Sequence, residues 1–471
     1  MSNFPELHTR TNTTSPNIVT ALIIMKFTSI VFISCVTSAI LPVKAATKTN
    51  RRRTIINENE KNEDRASHYL RSLEEVGSMS PFIAEVVSSE EKESSSSSSC
   101  PSWGDFSDQI PAIGHTTIQL IDESRDDRTI AVDIWYPAED NGEQLVAYRA
   151  GKITVPSTIM QGVYFAIDSP KVLPPQDGTN GYPLLIFSMG SGSIRNQSAR
   201  LMEHLASWGF VVCSPDHPGN SFNDPPFPSI PFSVQDRPKD VSFVIDNMLS
   251  PEYVDRFHLH KTKGVGVLGH SYGGTTSLLV APNAHSEWSD ERVKAIMPIA
   301  PAAEGTDEEI QSSGVNWGAG MSSDLLRNSL PNIVVPSMVV GGENDVSTPV
   351  DRQNVAVFDK TNGLPRFNVV IPQAGHTSFA DICPLFDRLS SVLGEGMTYR
   401  LVGGGNYKKG RGRVNESYCD TNDEVQSILG YYAVAFFSAM LLLEDEEERE
   451  QVFECMYEQS VSLSTYEYLG I

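Results

Sequence analysis

Short apolar runs alternate with segments of helical periodicity from residue 183 to residue 443. Apolar runs bounded by glycine, proline and polar residues predict buried strands, and apolar residues recurring every three or four positions predict helices. The predicted strands are 183–187, 210–213, 265–268, 293–299, 333–340 and 367–371, and the predicted helices are 200–207, 236–249, 275–280 and 424–443. Strands that alternate with helices favour a mostly parallel central sheet flanked by helices, which is an α/β fold.

Two further strands precede this pattern. Apolar and polar residues alternate at 116–121 and again at 129–136, and Asp126 and Asp127 between them mark a turn. Alternation with a period of two is typical of strands with one buried face. The sequence therefore predicts an N-terminal antiparallel hairpin beside the parallel sheet.

The chain before residue 101 has a different composition. An apolar run at 27–41 follows Met25 and Lys26, and small residues follow the run, which is the pattern of a secretory signal peptide cleaved after Ala45. An N-terminal membrane anchor is the alternative. The next segment is rich in charged residues and serine, which predicts disorder. The chain divides into a signal-peptide region at 1–45, with Met25 as an alternative start, a disordered leader at 46–100, a catalytic domain at 101–445 and an acidic C-terminal tail at 446–471.

The acidic balance of the chain excludes one class of partner. The formal charge is -23, from 36 basic and 59 acidic side chains. Such a charge repels nucleic acid phosphates and anionic lipid surfaces, so we expect no nucleic-acid partner and at most peripheral membrane contact. The predicted helix at 424–443 is apolar, but polar residues interrupt it, and we interpret it as a core helix rather than a membrane span.

The sequence Gly-His-Ser-Tyr-Gly-Gly at 269–274 lies between a predicted strand and a predicted helix. A serine on a sharp strand-to-helix turn exposes its hydroxyl, and the turn needs small residues two positions before and after the serine. Gly269 and Gly273 meet this need. The pattern predicts that Ser271 is a nucleophile.

A nucleophilic serine needs a base to accept its proton. In hydrolases with this turn the chain order is serine, acid, histidine. Only His285 and His376 follow Ser271, and His285 follows by 14 residues, which leaves no strand for an acid between them. We therefore predict that His376 is the base.

The acid is expected at the carboxyl end of a strand between the serine and the histidine, since active sites of open parallel sheets form there. Asp345, after the predicted strand at 333–340, fits best, and Glu343 and Asp351 remain alternatives.

The developing oxyanion requires two backbone N–H donors, one from the residue after the nucleophile and one from a loop after an earlier strand. The first is Tyr272. The second is Ser191, with Met189 as an alternative, because Gly190 and Gly192 allow this loop to turn back.

These motifs together resemble those of the α/β-hydrolases of the platelet-activating factor acetylhydrolase and dienelactone-hydrolase-like group. The resemblance covers residues 111–443 and rests on 133–138, 187–192, 204–212, 215–219, 269–274 and 375–376. It implies the α/β-hydrolase fold and a carboxylic ester hydrolase with a serine, aspartate and histidine triad and no metal or other cofactor. The chain departs from the family at Met189, where a histidine is usual, and at Ser191, where a larger apolar residue is usual. Both departures bear on the acyl pocket.

Five cysteines remain outside the signal-peptide region. In an oxidising compartment Cys383 and Cys419 are the favoured pair because they flank a glycine-rich loop, and Cys100 with Cys455 is the alternative. Cys213 ends a buried strand and is predicted to be a free thiol.

The sequence predicts a secreted, monomeric serine carboxylic ester hydrolase that acts on a small-molecule or lipid ester. Short acyl groups of phospholipids such as 1-alkyl-2-acetylglycerophosphocholine are one candidate. A peptidase or acyltransferase on the same fold and a secreted non-catalytic binding protein are the alternatives. Asn196 and Asn415 lie in glycosylation sequons, and a helix N-cap is the alternative role of Asn196.

Overall fold

The computed structural model describes most of the chain after residue 99. The described residues are 100–140, 145–150, 153–154, 165–168, 170–175, 180–221, 234–305, 322–381 and 422–470. The predicted signal-peptide region and almost all of the predicted leader lie outside these residues, as do Cys383, Cys419 and Asn415.

The described strands belong to one large sheet and one small hairpin. They are β1 (Ala112–Asp122), β2 (Arg128–Ala138), β3 (Arg149–Ala150), β4 (Ile153–Thr154), β5 (Ile167–Asp168), β6 (Leu184–Ser188), β7 (Val211–Pro215), β8 (Val265–His270), β9 (Val293–Ile299), β10 (Ser337–Gly342), β11 (Arg366–Ile371) and β12 (Thr465–Leu469). The β3–β4 hairpin stands apart from the large sheet.

The described α-helices follow the strands in alternation over the middle of the chain. They are α1 (Ala199–Ser207), α2 (Asp236–Met248), α3 (Pro251–Phe257), α4 (Tyr272–Val280), α5 (Ser323–Ser329), α6 (Gln353–Lys360), α7 (Asn422–Leu441) and α8 (Glu446–Gln459).

The large sheet has the order β12-β11-β10-β9-β8-β6-β7-β2-β1-β5. Its six central strands, from β7 to β11 in this order, are parallel. The β1–β2 hairpin adds antiparallel strands beyond β7, and β12 pairs antiparallel with β11 at the other edge. This arrangement confirms the predicted mostly parallel sheet with an N-terminal antiparallel hairpin.

The sheet separates two apolar cores because successive side chains of a strand point to opposite faces. In β6, Leu184 and Ile186 join the core on one face, where α2 packs, and Leu185 and Phe187 join the core on the other, where α1 and α7 pack. Residues of β6 are buried on both faces, which explains why the parallel strands appear in the sequence as continuous apolar runs.

Helix α7 is long and apolar enough to cross a membrane by length and composition, but most of it is buried within the protein. Tyr432, Phe436 and Phe437 lie in the core beneath the sheet and are fully buried. Gly266 of β8 lies against the ring of Phe437, where a Cβ atom would be 2.6 Å from a ring carbon. The helix therefore packs as a core element, as predicted.

The prediction of an acidic tail at 446–471 is wrong, because the folded domain continues past residue 445. Residues 446–459 form α8, which buries Val452, Phe453 and Met456 on one face, and β12 extends the large sheet. The acidic residues lie at the start of α8, where negative charge favours a helix N-terminus. The run of acidic residues led to the prediction of a tail, although the segment forms a helix with one buried face and an edge strand.

The described disulfide joins Cys100 to Cys455, the pairing that was predicted only as the alternative. It links the segment before β1 to α8 across 355 residues of sequence, so it closes a loop that holds nearly the whole domain. The favoured pair, Cys383 with Cys419, lies outside the described residues. Cys213 is a buried free thiol, as predicted.

Candidate active site

Ser271 lies on the sharp turn between β8 and α4. Its φ of 58° and ψ of -121° are rare for a residue with a side chain, and such strain persists only where the surroundings fix the backbone. The Ser271 N–H donates to the carbonyl oxygen of Ile299 at 2.9 Å, and its own carbonyl accepts from the Thr275 N–H at 3.2 Å. The side chain is partly exposed.

The glycines around Ser271 are required by close backbone approach. A Cβ atom on Gly269 would lie 2.7 Å from the carbonyl oxygen of Ser188, and one on Gly273 would overlap the same backbone. Separations below 3.0 Å to backbone atoms force the chain to move. Strand β6, which leads into the predicted oxyanion loop at residues 189–192, thus packs directly against the turn that carries Ser271.

His376 and Asp345 reach Ser271 from the ends of two neighbouring strands. His376 follows β11 and Asp345 follows β10. Nε2 of His376 lies 2.9 Å from Oγ of Ser271, and Nδ1 of His376 lies 2.7 Å from Oδ2 of Asp345. The structure therefore brings together the three side chains that the sequence selected, while their catalytic role stays a prediction.

The three alternative residues lie elsewhere. Glu343 is exposed and accepts a hydrogen bond from the Gln373 N–H at 3.1 Å. Asp351, the other alternative acid, is also exposed. His285, the other histidine after Ser271, stacks its ring on Trp288 with 3.6 Å between the ring centres. Asp345 is thus the carboxylate that faces the imidazole of His376.

Asp345 is buried among hydrogen-bond donors. Its Oδ1 accepts from the backbone N–H groups of Ser347 and Thr348, at 2.7 and 2.9 Å, and its Oδ2 accepts from the Thr348 hydroxyl at 2.7 Å. Burial by itself raises the pKa of Asp345, but the charge of His376 and these hydrogen bonds outweigh it, and the pKa lies below its ordinary value. The carboxylate is ionised at neutral pH.

The same contact acts on His376 in the opposite direction. Burial lowers the pKa of His376, but the Asp345 carboxylate outweighs burial, so the pKa lies above 6.5. An ionised carboxylate only accepts hydrogen bonds, so Nδ1 of His376 carries a hydrogen and Nε2 faces the Ser271 hydroxyl as an acceptor.

The predicted oxyanion loop lies beside Ser271. A Cβ atom built on Gly190 would be 3.6 Å from Cβ of Ser271. The Gly190 N–H donates to Oε1 of Gln197 at 2.8 Å and is therefore directed away from a substrate. The neighbouring Ser191, whose hydroxyl accepts from the Asn220 side chain at 3.2 Å, and Tyr272, at the first position of α4, stay the predicted N–H donors.

Two polar side chains that the sequence did not single out join the loops around the site. Nδ1 of His270 lies 2.6 Å from Nε2 of Gln197, and Nε2 of His270 lies 2.8 Å from the carbonyl oxygen of His376. Burial lowers the pKa of His270 to about 3, so its ring is neutral. The position of His270 next to Ser271 was visible in the motif, but its partners come from loops distant in sequence.

A second hydrogen-bonded chain of serine, histidine and aspartate side chains begins at Ser188, directly before the predicted oxyanion loop. Nε2 of His217 lies 2.9 Å from Oγ of Ser188, and Nδ1 of His217 lies 3.0 Å from Oδ2 of Asp240. All three residues are fully buried. Asp240 also accepts from Arg125 and Arg128, both at 2.7–2.8 Å. No periodicity in the sequence marked Asp240, which lies on the inner face of α2.

The Asn196 sequon is buried in the folded chain. Asn196 has 5% of its surface exposed, and the hydroxyl of Ser198 donates to the carbonyl oxygen of Phe379 at 2.8 Å. The N-cap of α1 is Ser198, not Asn196. The sequon therefore lies in the packing beside the site. Within the described residues, no group of three or more histidine, cysteine or acidic side chains is arranged to hold a metal ion.

Two family models match the chain. The model described as alpha/beta hydrolase fold matches residues 182–317, and the model described as platelet-activating factor acetylhydrolase, isoform II, matches residues 118–224. The first match contains Ser271, and the second contains the predicted oxyanion loop.

The chain is also similar to a solved structure, a ferulic acid esterase from Streptomyces cinnamoneus, with 19% identity over 76% of this chain and 96% of that chain and a TM-score of 0.48. No curated protein sequence matches the chain. The sheet order and the family models establish the α/β-hydrolase fold. The match to the platelet-activating factor acetylhydrolase model supports a carboxylic ester hydrolase similar to those enzymes.

Proposed function

We propose that the protein is a serine carboxylic ester hydrolase in which Ser271 is the nucleophile, His376 the base and Asp345 the residue that orients His376. One observation carries this proposal. A strained strand-to-helix turn presents Ser271 to an imidazole at 2.9 Å, and a buried carboxylate holds that imidazole at 2.7 Å. This geometry has the nucleophile, base and orienting group in hydrogen-bond reach.

In the acylation step, Oγ of Ser271 attacks the ester carbonyl carbon while Nε2 of His376 takes the hydroxyl proton. The carbonyl oxygen becomes an oxyanion, which accepts hydrogen bonds from the backbone N–H groups of Ser191 and Tyr272. The imidazolium next to Asp345 then gives its proton to the alcohol oxygen as the carbon–oxygen bond breaks. The alcohol leaves, and the acyl group stays on Ser271.

In the deacylation step, His376 takes a proton from water, and the hydroxyl oxygen attacks the acyl carbonyl. The bond to Oγ of Ser271 breaks, the serine regains the proton, and the carboxylic acid leaves. Asp345 stabilises the imidazolium in both steps because His376 and hydrogen bonds from N–H and hydroxyl donors keep its buried carboxylate ionised.

We propose a short-chain acyl ester as the substrate, with acetyl esters of phospholipids such as 1-alkyl-2-acetylglycerophosphocholine as the first to test. The match to the platelet-activating factor acetylhydrolase model supports this choice. Met189 and Ser191 replace the residues that the family usually has in the oxyanion loop, so the acyl preference of this chain is a property of its own pocket.

We also propose that the protein is secreted. The signal-peptide pattern at 27–45 supports this, and so does the disulfide between Cys100 and Cys455, since disulfides form and persist in oxidising compartments.

The test is hydrolysis of p-nitrophenyl acetate, butyrate and palmitate, together with covalent labelling by a fluorophosphonate. Ser271→Ala is expected to lower kcat by about 10⁵–10⁶-fold and to abolish labelling. The matched control is Ser188→Ala, which removes the hydroxyl of the buried second chain and is expected to retain the label. Folded protein that hydrolyses none of the esters, or that is labelled in the Ser271→Ala variant, contradicts the proposal.

A further inference from the structure

Arg237 is a fully buried arginine directly beneath the predicted oxyanion loop. Its described hydrogen-bond partners are neutral oxygens. Nη1 donates to Oδ1 of Asn220 at 2.8 Å, and Nη2 donates to Oγ of Ser188 at 3.2 Å and to the carbonyl oxygen of Met189. A buried guanidinium is costly unless its donors are matched to acceptors, so these contacts fix the loop backbone relative to α2.

The carbonyl of Met189 and the N–H of Gly190 belong to one planar peptide unit. Arg237 donates to the carbonyl end of this unit, and Oε1 of Gln197 accepts from the N–H end at 2.8 Å. Because both polar ends are held, the peptide plane has no freedom to rotate about its flanking bonds. The next peptide unit carries the N–H of Ser191, the predicted oxyanion donor, and the other polar end of that unit, the Gly190 carbonyl oxygen, accepts from the Ser193 N–H at 3.3 Å.

The far side of the loop is held by the same arginine through a second residue. The Gly192 N–H donates to the carbonyl oxygen of Asn220 at 3.1 Å, and the Ser191 hydroxyl accepts from the Asn220 side chain at 3.2 Å. Arg237 donates to the other side-chain atom of Asn220, which fixes that amide. The loop is therefore gripped on both sides of Ser191.

Arg237 and Gln197 also contact the other parts of the site. The guanidinium carbon of Arg237 lies 4.7 Å from the ring centre of Tyr272, a cation–π distance, and Tyr272 is the second predicted donor. Gln197 reaches the carbonyl of His376 through His270, at 2.6 and 2.8 Å. The two predicted oxyanion donors, Ser191 and Tyr272, and the loop that carries His376 are thus connected to these two side chains.

We propose that Arg237 and Gln197 are positioning residues that clamp the Met189–Gly190 peptide and thereby direct the Ser191 N–H at the oxyanion. This inference rests on the proposed function. Both side chains are buried, so they act through the backbone rather than by contact with the substrate. Stabilisation of an oxyanion depends on donors held in place before the reaction, so loosening the clamp weakens transition-state binding more than substrate binding.

The experiment compares wild type with Arg237→Met, Arg237→Lys and Gln197→Met. Three quantities are measured: kcat and KM for p-nitrophenyl butyrate, the affinity for butylboronic acid, and the melting temperature. The boronic acid forms a tetrahedral adduct on the serine and reports on the oxyanion hole without turnover. Arg128→Lys is the matched control, because the described hydrogen bonds of Arg128 go to the neighbouring buried Asp240 and to the Pro218 carbonyl oxygen rather than to residues 189–192.

For Arg237→Met and Gln197→Met we expect kcat to fall on the order of 10²-fold with KM changed less than about threefold, and boronate affinity to fall with kcat. Arg237→Lys, which keeps the charge and loses the fork, is expected to lie between wild type and Arg237→Met. Arg128→Lys is expected to lower the melting temperature and to leave kcat and boronate affinity near wild type.

The clamp is overturned if folded Gln197→Met and Arg237→Met keep boronate affinity within about threefold of wild type, or if Arg128→Lys loses as much. Should Arg237→Met not fold, Gln197→Met decides by itself. A wild-type protein without Ser271-dependent hydrolysis overturns the proposed function instead, and that outcome is recognised before any clamp variant is made.

Discussion

Two chains of serine, histidine and aspartate lie in one molecule with nearly the same hydrogen-bond lengths. The first is Ser271, His376 and Asp345, with 2.9 and 2.7 Å between successive partners. The second is Ser188, His217 and Asp240, with 2.9 and 3.0 Å. Hydrogen-bond geometry alone therefore does not separate the proposed catalytic triad from a buried structural network.

Access separates them. The side chain of His376 is 20% exposed, whereas that of His217 is fully buried. Ser271 lies on a turn with a positive φ, which directs its hydroxyl out of the sheet, and Ser188 ends a regular buried strand. The strained backbone is found at the serine that the proposed mechanism makes the nucleophile.

Charge separates them as well. Asp345 faces one histidine and neutral donors, and the pKa of His376 lies above its ordinary value. Asp240 is shared with Arg125 and Arg128, and burial together with nearby guanidinium groups lowers the pKa of His217 to about 4. A base must become an imidazolium during the reaction, and only the surroundings of His376 favour that form.

Among the changes that compare the two chains, replacement of each aspartate is expected to have the largest effect. Asp345→Asn leaves His376 without its orienting carboxylate, and we expect kcat to fall by about 10³–10⁴-fold. Asp240→Asn breaks a buried ionic network, and we expect the free energy of unfolding to fall by about 3–5 kcal/mol while the folded fraction keeps kcat within about tenfold of wild type. Ester hydrolysis and urea unfolding of both variants measure this, and equal kcat losses would contradict it.

The next effect is the pH dependence of stability. His217 has an ordinary pKa of 6.5 and a folded pKa of about 4. Between these values the unfolded chain binds a proton that the folded chain does not, so stability is lost as pH falls from about 6.5 to about 4. At 1.36 kcal/mol per pH unit the loss is about 3 kcal/mol. His376, with its raised pKa, acts in the opposite direction, since its stabilising contribution is lost as pH rises through its folded pKa.

The measurement is the free energy of unfolding of wild type and His217→Gln by urea between pH 4.5 and pH 7.5. Burial also lowers the pKa of His204 and His270, so both proteins are expected to lose stability in acid through those two groups. The difference between the two proteins isolates His217. Curves of equal slope would show that His217 does not titrate as its surroundings predict.

The smallest effect is the pH dependence of hydrolysis. The base must be neutral to accept the serine proton, so kcat/KM is expected to rise with pH through the pKa of His376 and to fall about tenfold per pH unit below it. Because the Asp345 carboxylate raises this pKa, the inflection is expected above pH 6.5. An inflection near pH 4 would assign the base to a histidine with surroundings like those of His217.

Much of the fold was predictable because parallel strands buried on both faces leave continuous apolar runs in the sequence. The predicted strand at 333–340 begins later, at Ser337, and a 3₁₀ helix (Leu330–Asn332) lies before it. Helix α8 and strand β12 were missed because their acidic and polar residues mask the few apolar positions, such as Phe453 and Met456, that pack on the core. The burial of α8 depends on its packing against α7, and β12 is held by pairing with β11, which lies far from it along the chain.

The sequence by itself determined the glycine-flanked turn around Ser271 and, by chain order and elimination, the choice of His376. It favoured Asp345 but left Glu343 and Asp351 open, and only the structure places Asp345 against the imidazole. The steric needs of the turn and the ends of the strands depend on short segments of sequence, so they can be recognised without knowing how distant parts of the chain pack. Only the tertiary structure decided which second serine, histidine and aspartate meet, that Cys100 pairs with Cys455, and that Arg237 and Gln197 grip one peptide from opposite sides. These contacts join segments separated by many residues, and their partners are fixed by packing rather than by spacing.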